Sequence, residues 1–237
     1  MLVLGIDSSA SAASAALVED GKLLGQFYCN TAMTHSQTLL PMVEGLLHSL
    51  GKSCGDLDLL GVSVGPGSFT GVRIGVSCVK GMTFPFNTPC CGVSTLEAIA
   101  YGGLACEGSV LCAVMDARCG QVYNALFRVG GGMLSRLTED RALSVDELNE
   151  ECRAYGPSLL LLGDGAELCH RVFSVWGARL APEGIRYQQA ASVAFLASGQ
   201  AAVGGTVSCG ELLPAYLRLP QAERELRRKN GKEGEFK

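Results

Sequence analysis

Leu2-Val3-Leu4-Gly5-Ile6-Asp7 opens the chain as an apolar run that ends on a carboxylate, the pattern of a buried strand whose last residue can turn outward. Two further strands are expected over 14–19 and 23–28, and the Asp20-Gly21 between them is a strong signal for a tight hairpin. The same order returns in the second half. Val110-Leu111-Cys112-Ala113-Val114-Met115-Asp116 is again apolar and again ends on an acid, and Gly130-Gly131-Gly132 separates strands expected over 122–129 and 133–137. Two openings of strand, aspartate and hairpin predict a duplicated unit with its boundary in 102–109, although the halves share little residue identity.

Between these openings, strands and helices alternate. Leu39, Met42, Val43, Leu46, Leu47 and Leu50 recur at helical spacing up to Gly51, and Thr34 with Gln37 has the form of a capping box. Pro41 either delays this helix to Thr38 or kinks it. A strand over 57–64 runs into Gly65-Pro66-Gly67-Ser68-Phe69-Thr70-Gly71, which opens a helix over 72–84. Strands over 90–93 and 159–162, and helices over 95–101 (capped by Ser94), 145–152, 166–175 and 192–203, complete an α/β pattern.

Composition narrows the function. Of 237 residues 48% are apolar and 18% charged, enough for buried cores and too apolar for a disordered chain. The net charge of −4 lacks the basic excess that a protein holding nucleic acid by itself would carry. The apolar start meets Asp7 far too early for a signal segment or a membrane span. The 11 cysteines are odd in number and contain no C-x-x-C, so reduced thiols in the cytoplasm are expected. His35, His48 and His170 have no paired ligand spacing, and no metal site is expected. Residues 218–237 are densely charged and read either as a basic arm for RNA or as a solvated end.

Two groups of residues could carry chemistry. Asp7, Ser8 and Ser9 at one strand end, Asp116 at the other, and Gly65, Gly67 and Ser68 in the glycine loop are candidate phosphate or nucleotide contacts. The loop is not a Walker A motif, because Gly71 is followed by Val72-Arg73 rather than by lysine and a hydroxyl. The competing reading is close packing: Gly67, Gly71 and Gly75 are spaced by four, and glycines let another element approach. The following helix is apolar over more than one stripe, Val72, Val76 and Val79 forming one and Gly71, Gly75, Cys78 and Met82 another. That surplus points to an interface with a partner or a second copy, using Gly71, Val72, Gly75, Val76 and Val79 here and His35, Leu39, Met42, Val43 and Leu46 on the preceding helix.

Ile6-Asp7-Ser8-Ser9, His35-Ser36-Gln37-Thr38-Leu39-Leu40-Pro41, the whole stretch from Gly65 to Gly75, Gly92-Val93-Ser94-Thr95-Leu96, Asp116-Ala117-Arg118, Val122-Tyr123 and Pro214-Ala215-Tyr216-Leu217-Arg218 follow one another in a recognisable order. On these motifs the chain resembles the bacterial TsaB family of tRNA threonylcarbamoyladenosine biosynthesis proteins, from Met1 to about Arg218. The resemblance implies an actin/Hsp70-like (ribonuclease H-like) ATPase fold of two related lobes, with mixed sheets flanked by helices. The lobes are expected over 1–103 and 104–218, the last residues packing back on the first lobe, with a charged tail over 219–237. It also implies a non-catalytic subunit that dimerises with a homologous, metal-binding enzyme, TsaD, and works with the ATPase TsaE. Together they place threonylcarbamoyl on the adenosine 3′ of the anticodon in tRNAs reading A-starting codons. In isolation a homodimer through the same patch is expected; tRNA is met only through the complex, no cofactor is expected for the chain alone, and the interface with TsaD is where ATP or ADP could sit. The partner's metal-binding histidine pair falls at Thr95 and Ile99, neither of which can replace a histidine ligand. That loss argues against a metallopeptidase, and a small-molecule kinase of the same fold would need an adenosine pocket for which Gly163-Asp164-Gly165 is a poor match.

Overall fold

The computed structural model describes residues 1–31 and 33–218; the charged tail over 219–237 lies outside the described residues. The first lobe opens with β1 (Leu2–Asp7), β2 (Ala13–Glu19) and β3 (Lys22–Cys29), an antiparallel meander. Asp20 and Gly21 take the left-handed φ values of 49° and 80° that a tight hairpin turn requires. Then follow α1 (His35–Ser49), β4 (Leu59–Gly65), α2 (Phe69–Thr83), β5 (Cys90–Ser94) and the short α3 (Thr95–Tyr101). The second lobe repeats the plan with β6 (Val110–Asp116), β7 (Gln121–Gly130) and β8 (Met133–Arg136), then β9 (Arg141–Ser144), α4 (Val145–Cys152), β10 (Leu159–Leu162), α5 (Ala166–Phe173), β11 (Arg179–Leu180) and α6 (Glu183–Arg186). The chain then enters α7 (Ala190–Ala202).

The two sheets have one topology. The first runs β3-β2-β1-β4-β5 and the second, in the same sense, β8-β7-β6-β10-β11. In each the first strand pairs antiparallel with its hairpin and parallel with the later strand, so Asp7 and Asp116 occupy equivalent strand ends. The short β9 adds to β7 off this path.

Alternation along the strands sorts the cores. Leu2, Leu4 and Ile6 of β1 face α1 and α2, whereas Val3 faces α7 with Leu59, Val93, Val193 and Ala197. Close approach of α7 depends on glycine: a Cβ at Gly5 would stand 2.3 Å from the Ala190 carbonyl oxygen, and one at Gly61 would stand 2.6 Å from the Ala197 Cβ. In the second lobe Leu111, Ala113 and Met115 meet α3, and Val110, Cys112 and Val114 meet α4 and α5.

Several expectations need correction. The helix over 192–203, expected in the second lobe, starts at Ala190 and covers the first sheet, where Val207 bridges to Cys90 and Leu212 is buried in the first core. Helix α3, placed in the first lobe by sequence, sends Leu96, Ile99 and Ala100 into the second core. The Thr34 capping box does not form, because the Thr34 hydroxyl turns to Ser36 (3.3 Å) while the Gln37 N–H finds the Thr34 carbonyl (2.9 Å). Helix α1 nonetheless begins at His35 and runs through Pro41. Pro41 and Gln37 are both exposed, so the carbonyl left without its N–H can be hydrated.

The interface assignment changes most. Leu39, Val43, Leu46, Val72, Val76 and Val79 are buried in this chain's own core, and so are Gly71 and Gly75. Both stripes of α2 are used internally: the valines lie against the sheet, and the glycines lie under the turn between β1 and β2. A Cβ at Gly71 would stand 2.1 Å from the Ser8 carbonyl oxygen, and one at Gly75 would stand 2.5 Å from Ser8 Oγ. Only His35 and Met42 of the expected contact set are half-buried.

Candidate functional site

The strand ends of both sheets meet at a cleft of about 410 Å³. The turn after β1 (Ser9, Ala10, Ser11) and the glycine loop (Pro66, Gly67, Ser68, Phe69) form one wall. Asp116 at the end of β6 and Ala117 and Arg118 after it, with Tyr123 and Asp164, form the other, and the chain from Ala215 to Arg218 closes the rim.

The candidate phosphate contacts divide within this cleft. Ser9, Gly67, Ser68 and Asp116 line it, whereas Asp7, Ser8 and Gly65 do not. Asp7 is buried beneath: Ser63 Oγ donates to its Oδ2, and the Ser9 N–H (3.0 Å) and Oγ (2.9 Å) donate to its Oδ1. Burial pushes its carboxyl above the ordinary value in spite of these bonds. His35 approaches from α1, its Nε2 hydrogen-bonding the Ala10 carbonyl at 2.6 Å.

The glycine loop is already filled by this chain. A Cβ at Gly65 would stand 2.2 Å from the Ala215 carbonyl oxygen and one at Gly67 2.4 Å from that of Ser9, and both residues have positive φ. Three amides of the loop and the helix it opens are taken: the Ser68 N–H donates to the Ser9 carbonyl (2.7 Å), Gly71 N–H to Ser68 Oγ (3.2 Å), and Val72 N–H to the Ser68 carbonyl (2.9 Å). Ser8 Oγ closes the set by donating to the Gly71 carbonyl at 2.9 Å. Packing, the second of the two sequence readings, accounts for these glycines.

Sequence reasoning left out the residues that shape the open part of the cleft. Phe69 stacks on Tyr216 at 4.7 Å, and Arg73 lies over the Phe69 ring at 4.1 Å while its Nε donates to the Tyr216 hydroxyl (3.0 Å). The Asp116 carboxylate accepts from the Arg118 N–H at 2.7 Å, in a turn where Arg118, Cys119 and Gly120 all have positive φ. Asp164 sits beside it, its pKa pushed up to about 6 mainly by burial, with the Asp116 charge adding to the rise. The one signal for Asp164 was its pair of flanking glycines.

Thr95 and Ile99, the places of the partner family's histidine pair, are buried on α3. Among the described residues no group of three or more His, Cys, Asp or Glu is arranged to hold a metal, and no helix is long and apolar enough to cross a membrane.

Residues 29–166 match the family model of TsaD, tRNA N6-adenosine threonylcarbamoyltransferase. The chain is 31% identical over 228 residues to the Escherichia coli tRNA threonylcarbamoyladenosine biosynthesis protein TsaB, covering 95% of this chain and 98% of that one. The crystal structure of YeaZ from Pseudomonas aeruginosa superposes with a TM-score of 0.75 at 28% identity, over 91% of this chain and 99% of that one. An activator of the 2-hydroxyisocaproyl-CoA dehydratase from Clostridium difficile, solved with ADPNP bound, shares the fold alone, at 10% identity, a TM-score of 0.50 and 86% and 97% coverage. The architecture is the two-lobed actin-like ATPase fold. With near-complete coverage at this identity, the chain belongs to the TsaB family of tRNA threonylcarbamoyladenosine biosynthesis proteins.

Proposed function

We propose that this chain is a non-catalytic subunit for threonylcarbamoylation of the tRNA adenosine 3′ of the anticodon, acting by binding and organising a TsaD homologue, with TsaE in the larger assembly. The observation that carries this reading is the glycine loop. Where a phosphate-binding protein of this fold needs free amides, Ser8, Ser9 and Ala215 occupy the space. The buried Thr95 and Ile99 point the same way, since they replace a metal-binding pair with groups that serve packing.

The surface for the partner is the outer side of α1 and α2. A shallow apolar groove between them includes Leu40, Leu47 and Met82, and Leu40 is 48% exposed. The same surface would pair two copies when the partner is absent.

The test is reconstitution. The purified chain alone should neither hydrolyse ATP nor modify tRNA, and it should co-elute with its TsaD homologue on size exclusion. Leu40→Asp places a charge on the proposed contact and should abolish co-elution while leaving the melting temperature unchanged. Turnover by the chain alone, or co-elution that survives Leu40→Asp, would count against the reading.

A further inference from the structure

We propose that Arg136, Asp140, Glu97 and Ser94 form a latch between the two lobes, which fixes the angle between the sheets and holds the cleft at one width. The chain crosses from lobe to lobe at two places, 102–109 and 187–189, and two bodies joined in this way can rock about their crossings. Helix α3 lies where such a motion would act. Its Ala98 packs in the first core with Val93 and Val193, whereas Leu96, Ile99 and Ala100 pack in the second.

Arg136 reaches that helix from β8. Its guanidinium lies over the Phe127 ring at 4.6 Å. One nitrogen donates to Asp140 Oδ1 at 2.6 Å, and the other donates to Glu97 Oε2, on α3, at 3.1 Å. The second oxygen of Asp140 accepts from the Ser94 hydroxyl at 2.5 Å. Ser94 ends β5 in the first sheet, and its hydroxyl also accepts from the Glu97 N–H (3.2 Å) as the cap of α3. One hydroxyl therefore registers the start of the helix against both lobes. The side chains of Arg136, Glu97 and Asp140 are 26%, 31% and 19% exposed, so salt screens this network less than a surface pair. Among the described ion pairs, Arg136–Glu97 alone joins residues on opposite sides of the 102–109 crossing. At the cleft the lobes meet through apolar groups, the Met115 methyl standing 3.2 Å from the place of a Cβ at Gly67. Such contacts have no preferred direction, whereas a guanidinium held between two carboxylates does.

Double electron–electron resonance on the whole chain tests the latch. Spin labels attached through p-acetylphenylalanine at the exposed Lys22 and Met133, where the outer strands β3 and β8 start, leave the 11 cysteines untouched. The otherwise unaltered chain should give one narrow distance distribution. Asp140→Ala spares the cap of α3, and Arg136→Met removes both ion pairs. Each should raise the share of a second, displaced distance at least about tenfold, the scale of one lost hydrogen bond to a charged group. Amides of β1 and β6 should keep their exchange protection, which separates a change of lobe angle from loosening of a core. Several distances in the unaltered chain would overturn the proposal, and so would a single unchanged distance in either folded variant. A second distance accompanied by lost protection in β1 or β6 would also overturn it. Should Arg136→Met unfold, Asp140→Ala and the unaltered chain still decide.

Discussion

Gly75 shows what a single position contributes. Its missing side chain makes room for Ser8 Oγ, with Val62 Cγ2 next at 3.3 Å from the place of a Cβ. Gly75→Leu should therefore damage the fold itself. Overpacking costs about 1–3 kcal/mol, and leucine recovers at most roughly 1 kcal/mol in helix propensity. A fall in the urea midpoint at unchanged m-value would record this, and an unchanged midpoint would take Gly75 out of the core. The glycine spacing announced a close approach in the sequence, but it could not name the approaching group. The approaching Ser8, whose hydroxyl bonds the Gly71 carbonyl, lies 63 residues before Gly71 in the chain. Asp164 titrates in the opposite sense from a salt-bridged carboxylate. Its pKa rises from 3.8 to about 6 on folding, so its contribution to stability is full below about 3.8 and is lost as pH rises through about 6. Asp164→Asn should remove that dependence and stabilise the protein by about 2–3 kcal/mol above neutral pH. Thermal melts of the two proteins between acid and neutral pH should converge at the acid end, and parallel curves would refute the assignment.

Helix α7 carries the same lesson at the next scale. Ala190, Ala194 and Ala197 form its contact ridge, and Gly5 and Gly61 form the matching floor on β1 and β4. Replacing Ala194 with leucine should lift the helix from the sheet and cost on the order of 1–3 kcal/mol. Amides of β1 and β4 should then exchange faster, whereas those of β6 and β10 should keep their protection. Equal loss in both sheets would mean that the lobes unfold as one unit. The existence of α7 was legible, because apolar residues crowd 190–202. Its destination was not, because a helix of small apolar residues has no single wet face to orient it. Elements β9 and β11 escaped notice for another reason: four residues and two residues are too few to show a period. The capping box at Ser144 and Glu147 does form, whereas the one expected at Thr34 does not.

At the scale of the whole molecule, the repeat of strand, aspartate and hairpin revealed both sheets, since that pattern depends only on local alternation and turn chemistry. The cleft was half legible. Its aspartates stood out at strand ends, and the resemblance returned the last residues to the first lobe, but no spacing in the sequence set Ala215 and Tyr216 against the glycine loop. The net charge of −4 sets a further expectation. At physiological salt the isolated chain should show no saturable tRNA binding in a filter assay, and binding should appear only when the TsaD homologue is added. Tight, salt-sensitive binding by the chain alone would refute that.

The return of the chain to its first sheet also bears on how the protein is born. While the ribosome is still reading the middle of the message, β1 and β4 have emerged, but the helix that covers one of their faces has not. The central segment from Val110 to Arg186 holds its own sheet together with α4 and α5, so it can settle first. The amino-terminal strands, although made earliest, must wait with Gly5 and Gly61 bare until Ala190–Ala202 clears the exit tunnel. Nascent chains arrested before that helix should be cut by protease in their first hundred or so residues and resist it in the middle, reversing the usual order in which synthesis confers protection.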